Sequence, residues 1–194
     1  MTATAFRQPA ATVAADDFRL DRSIWPVVEA MSVCLCSTLD DAGLGGDSLC
    51  FCGIFPGAQA YDQMGEGTKG QAWVRVVRVF PSNAFPQIEQ NPRRSCGSDL
   101  AVELEIGVLR CAPMPSDAGR IPPTMSAQWD ATRLQMADMA AMQQAVVCCY
   151  SDSDLVMLGN YTPAGPTGGV VGGTWQVFVS AANTPAPGWG VARA

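Results

Sequence analysis

DLAVELEIGVLRC, residues 99–111, is the stretch that decides the fold. Leu100, Val102, Leu104, Ile106 and Val108 alternate with Ala101, Glu103, Glu105 and Gly107. Side chains on a strand project to opposite faces with a period of two, so one face is apolar and the other wet. That is the pattern of a strand in an antiparallel sheet with one face on a core. A charge at Leu104, mid-strand on the buried face, is expected to prevent folding.

Upstream, QAWVRVVRVF (residues 71–80) is rich in β-branched and aromatic residues and reads as a second strand. Between the two strands lie residues 81–98, with three prolines, two asparagines and the pair Arg93-Arg94. A connection this long inside a domain usually carries function or is ordered by a partner. Residues 43–70 are glycine-rich and hold one short apolar piece, Leu49 to Ile54, that suits a strand, and the run from Gly65 to Gly70 reads as a loop. Ahead of them Ile24, Val27, Val28, Met31, Leu35, Thr38 and Leu39 follow helical spacing, which places a helix over 24–42. Ser23 is its expected N-cap, Pro26 sits in the first turn, and Gly43 supplies the stop.

Downstream, a proline-rich link (112–123) leads to a second helix over 126–149, capped by Thr124 or Ser126. Met125, Trp129, Met136, Met139, Ala140, Val146 and Val147 make its expected inward stripe, while Asp130, Arg133 and Asp138 face water. Met142 lies off that stripe. Strands near 154–161 and 174–181 close the chain, and PAGPTGGVVGG (163–173) between them reads as a long hairpin tip. The expected fold is therefore α+β, an antiparallel sheet of four to five strands with two helices packed on one face and long inter-strand loops. Residues 1–22 form a flexible N-terminal arm, 23–182 a single domain and 183–194 a C-terminal tail.

Composition narrows the function. The chain has 194 residues, eight cysteines and no histidine, and its net charge is −6. Without histidine there is neither the commonest general base nor a mixed histidine–carboxylate metal site. The acidic balance argues against a grip on nucleic acid, which needs a dense basic face. No apolar run reaches the length of a membrane helix, and residues 1–21 lack the apolar centre of a secretory signal. A cytoplasmic site of synthesis follows, where disulfides are disfavoured and the cysteines read as thiols.

Each constellation has a plain structural reading. Cys34, Cys36, Cys50 and Cys52 give C-x-C…C-x-C, but two residues apart on a helix Cys34 and Cys36 point about 200° apart, so they do not share one ion. Cys111, Cys148 and Cys149 suit a core or subunit contact, and Cys96, in the 81–98 loop, reads as exposed and reactive. Among the carboxylate pairs Asp16-Asp17, Asp40-Asp41, Glu103/Glu105 and Asp152/Asp154, the strand pair has no cation in sequence reach and reads as a solvated or subunit-facing surface. The glycine runs 43–46 and 165–173 lack the flanking strand, helix and lysine of phosphate-binding loops. No catalytic, cofactor-binding or metal residue is assigned, and the chain is not expected to be an enzyme.

In element order, and in the segments QAWVRVVRVFPSNAFP, CGSDLAVELEIGVLRCAP and GGVVGGTWQVFV, residues 23–182 resemble the tail terminator (head–tail connector) proteins of long-tailed actinobacteriophages. The resemblance implies a virion protein of the tail or neck, assembled in the host cytoplasm. It implies a homohexameric ring on the last ring of the major tail tube protein that stops tube polymerisation and meets the head–tail connector (stopper) protein. Genomic DNA would pass through the channel without specific binding. The N-terminal arm and the long loops exceed the family's minimal pattern. The alternatives are another neck protein, stopper or adaptor, and a cysteine-based metal or redox protein.

Overall fold

The computed structural model describes residues 24–57, 69–82, 84–88, 100–117, 119–150 and 155–181. The N-terminal arm, Ser23, most of the 55–70 and 81–98 loops with Arg93, Arg94 and Cys96, the Asp152/Asp154 pair and the C-terminal tail lie outside those residues.

Helix α1 runs from Trp25 to Asp41 with Pro26 in its first turn. It buries Val27, Val28, Met31, Leu35 and Leu39, the stripe read from the sequence. Gly43 ends it at φ +70°, and the amides of Leu44 and Gly45 donate back to the Leu39 carbonyl. A side chain with a Cβ is disfavoured in that left-handed conformation, and this is why glycine stops the helix here.

Strands β1 (Leu49–Ile54), β2 (Gly70–Pro81) and β3 (Leu100–Cys111) follow, then α2 (Met125–Cys149), β4 (Val156–Thr167) and β5 (Val170–Ser180). They form one five-stranded sheet in the order β1-β2-β3-β5-β4. The sheet is mixed, not wholly antiparallel: β1 pairs parallel with β2, and every other neighbour is antiparallel. Parallel neighbours need a crossover, and the fifteen residues between Ile54 and Gly70 are long enough to return the chain to the same end.

The alternation in β3 has its structural counterpart. Val102, Leu104, Ile106 and Val108 are all fully buried in one core with Val74, Val177, Val179 and residues of both helices. On the opposite face Trp73 lies over Gly107, its partner across the ladder, and packs with Leu109, Phe51 and Phe55 in a second apolar cluster.

The hairpin is tighter than its glycine content suggests. β4 and β5 pair through most of the expected tip as far as Thr167↔Val170, leaving only Gly168 and Gly169 as the turn. Both have positive φ, +64° and +78°, as a two-residue turn matched to strand twist requires. The glycines at 165, 172 and 173 sit instead where a Cβ would meet a neighbouring strand or the Tyr161 ring.

Candidate functional site

Three surfaces concentrate polar or apolar chemistry. One is the face of the sheet that carries Glu103 and Glu105. The expected solvated surface without cations is corrected here, because β2 brings two arginines across the ladder. Arg75 stands opposite Glu105 and binds it in a two-pronged contact, Nε to Oε1 at 2.7 Å and Nη2 to Oε2 at 2.8 Å. Trp73 Nε1 donates to Glu105 Oε1 at 3.1 Å. A register shift between Val76 and Arg78 brings Arg78 opposite Glu103, where its Nε donates to Oε2. Gln176 Nε2 from β5 donates to the other oxygen at 2.6 Å. Glu103 is only 6% exposed while the Arg78 side chain that binds it is half exposed, so this face is half-buried.

Every oxygen of both carboxylates thus accepts a hydrogen bond from a neighbouring strand. The shallow cavity beside them, about 250 Å³, is completed by Val77, Asn160, Thr162 and Thr174. Charge-assisted bonds of this kind hold strands in register. They tie both carboxylates to their neighbouring strands.

The next feature is the junction of α1, α2 and β1, where the cysteines meet. Cys34 is bonded to Cys149 and Cys36 to Cys52, each pair with Cα atoms 5.9 Å apart. The expectation that the cysteines are thiols is corrected for these four. The angular argument still explains the pairing: Cys34 and Cys36 leave α1 in different directions, one toward α2 and the other toward β1. Cys50, Cys111 and Cys148 remain thiols. Cys148 is exposed and lines a cleft of about 440 Å³ with the Cys34–Cys149 bond, Asp41 and Gln144. Among the described residues no group of three or more Cys, Asp or Glu side chains is placed to hold a metal ion.

Between β3 and α2 lies a buried ion pair that the sequence reading missed. Arg110 reaches from β3 to Asp138 of α2, Nε to Oδ2 and Nη2 to Oδ1 both at 2.6 Å. Its Nη2 also donates to the Leu44 carbonyl at 2.7 Å, which ties the turn after α1 to the same centre. Asp138, expected to face water, is 1% exposed. Burial raises its carboxyl above the usual range, and the hydrogen bond and charge of Arg110 oppose that rise.

The last surface is the outside of α2. The helix is capped by Thr124, whose hydroxyl accepts from the Ala127 amide at 3.2 Å. Its buried positions are Asp138, Ala141, Met142, Ala145 and Val146. The expected inward stripe is therefore largely corrected. Met125, Trp129, Met136 and Val147 are exposed, at 70, 66, 43 and 57%, and Met142 is the fully buried methionine. The physical reason is close packing. Alanines at 141 and 145 let α2 settle onto its neighbours, and Arg110 neutralises the one carboxylate on that side. Trp175 Nε1 donates to the Met139 carbonyl at 3.1 Å and Gln135 donates to the Gly172 carbonyl, fixing α2 on β5.

Among the described residues no helix is long and apolar enough to cross a membrane. No protein-family model matches the chain, and no curated protein matches it.

Proposed function

We propose that the chain is a structural protein of a phage virion, a tail terminator that forms a ring at the head-proximal end of the tail tube. The ring would be homohexameric, stop polymerisation of the major tail tube protein, and offer its other side to the head–tail connector (stopper) protein. The observation that carries this reading is the element order, α1, three strands, α2 and a closing two-strand hairpin around one sheet. It is the order on which the resemblance to tail terminators rests. An unclosed sheet with two helices also favours a terminator over a stopper built as a β-barrel or an adaptor built of helices.

Two further observations support an assembly role. Glu103 and Glu105 are committed to a strand-to-strand ladder, which leaves that pair to architecture. A net charge of −6 lets DNA pass a channel without being held, because like charges repel. The test is to polymerise the major tail tube protein with and without this chain and image the tubes. Shortened tubes with a ring at one end are expected. Tubes of unchanged length and bare ends at saturating protein would refute the reading.

One observation favours a second reading, a cysteine redox protein: an exposed thiol, Cys148, shares a cleft with the Cys34–Cys149 bond. That reading requires Cys148 to exchange with the bond under mild thiol conditions. Mass mapping of the disulfides after such treatment, with Cys148→Ser as control, decides it. An unchanged Cys34–Cys149 linkage in both proteins rejects it.

A further inference from the structure

α2 is apolar on two opposite sides. At 100° per residue the buried set of Asp138, Ala141, Met142, Ala145 and Val146 centres on one side of the helix, and Met125, Trp129, Met136, Ala140 and Val147 centre on the side opposite. The outer set repeats at intervals of 4, 7, 4 and 7, so it runs straight along the whole helix and is not a scatter of single exposed residues. From Met125 to Ala137 α2 has no buried residue, so its first half stands out from the core. In the preceding link Met114 and Ile121 are exposed as well, at 63% and 55%. An exposed apolar stripe that carries a tryptophan is a mark of an interaction site.

We infer that this outer stripe of α2 is a docking surface for a second copy of the chain. Charge chooses the occupant. The chain carries 18 acidic against 12 basic residues, so two copies repel each other wherever their charged surfaces meet. Across the 25 residues of α2 the only charges besides buried Asp138 are Asp130 and Arg133, one of each sign. This face offers no field to a strongly charged partner and no repulsion to an identical acidic one. Ala140 lets another element approach the helix closely, and the stripe is flanked by uncharged Thr132 and Gln143 on one side and by Arg133 on the other.

Area sets the strength. From Met125 to Val147 the stripe is about 33 Å long and about 11 Å wide, a footprint of about 360 Å² per copy. A stable protein interface takes about 800 Å² from each partner. The stripe alone therefore makes a weak, concentration-dependent contact, which closure of an assembly reinforces by holding each copy at more than one place. The inference supplies a joint for the ring proposed above and rests on that reading only for ring closure.

The test is sedimentation and mass measurement of the purified full chain from about 1 to about 300 µM, a range that brackets a weak contact. The wild type is expected to associate over this range, and Trp129→Glu and Met136→Lys to weaken association at least tenfold. Because both side chains are exposed, both variants keep the wild-type circular dichroism and urea midpoint. Val33→Lys, at an exposed valine of α1, is expected to associate as the wild type does. A wild type that stays monomeric throughout overturns the inference, as do stripe variants that associate normally. Loss of tube capping by Trp129→Glu without loss of self-association would also overturn it, by assigning the stripe to the tube protein. Association through the stripe with no effect on tubes leaves this inference standing and sinks the terminator reading.

Discussion

Asp138→Ala removes one partner from the buried centre that joins β3, α2 and the turn after α1. In the wild type Arg110 is 6% exposed and makes two bonds of 2.6 Å to Asp138, one of 2.7 Å to the Leu44 carbonyl and one of 3.4 Å to the Ser48 carbonyl. Alanine leaves a buried guanidinium with only the two carbonyls and no counter-charge. Breaking a buried pair in this way costs about 3–5 kcal/mol. The total stability of a domain is about 5–15 kcal/mol, so the variant should sit near the edge of folding.

The pair itself is a different quantity from its rupture. Replacing both members, Arg110→Met with Asp138→Leu, removes two desolvated charges together. Such exchanges are neutral or stabilising in many proteins. Urea unfolding of the four proteins of this cycle, followed by circular dichroism, gives the coupling directly. The expected pattern is a large loss for each single variant and recovery of most of it in the double variant. If Asp138→Ala lowers stability by less than about 1 kcal/mol with an unchanged urea slope, the ion pair is not the tie described here.

Three other outcomes are expected. Removing Cys34–Cys149, which closes 115 residues, should destabilise by about 4–5 kcal/mol, against about 3 kcal/mol for Cys36–Cys52, which closes 16. Urea midpoints of the paired Cys→Ala variants check the order, and the reverse order would argue against it. Gly107→Ala places a methyl group against the Trp73 ring and should cost about 1–3 kcal/mol, read as a lower midpoint, while the exposed Gly168 is not subject to that clash. Burial pushes the Tyr150 hydroxyl from 10.0 up to about 12. A raised pKa means that this group's contribution is fully present below pH 10 and is lost as pH rises through 12, a drop of about 2–3 kcal/mol. With free thiols blocked, Tyr150→Phe should flatten that part of the pH profile, and an unchanged slope would show that the drop has another origin.

The strands were legible because their information is local. β3 carries a two-residue alternation that no helix accommodates, and Leu104, fully buried, occupies the face the pattern assigns. A charge there, as in Leu104→Asp, is still expected to prevent folding for the reason the sequence already provides. Strand neighbours are not local information. The arginines that meet Glu103 and Glu105 lie 25 and 30 residues away in sequence, and the register shift between Val76 and Arg78 sets which of them meets which glutamate. The disulfides follow the same logic: α1 directs Cys34 and Cys36 apart, but only the packing of α2 and β1 shows what each meets.

α2 shows why periodicity alone misassigns a face. A helical pattern fixes which residues lie together but not which way they turn, and here two apolar sets share one helix on opposite sides. Bulk favours the set with Trp129 and Met136, because large side chains gain most from leaving water. Close approach favours the set with Ala141 and Ala145, and it can hold Asp138 only because Arg110 arrives from β3. The deciding residue is therefore 28 positions away in the chain, on another element. An arginine in the apolar register of a strand, following Ile106 and Val108, is the sequence signal that could have found it, since a charge on a buried face requires an opposite charge on whatever covers that face. Once Arg110 claims Asp138, the phase of α2 is set, and the bulky stripe is left on the outside of an acidic chain with no core to enter. A neutral apolar stripe does not repel a second acidic copy, the cover proposed for it above.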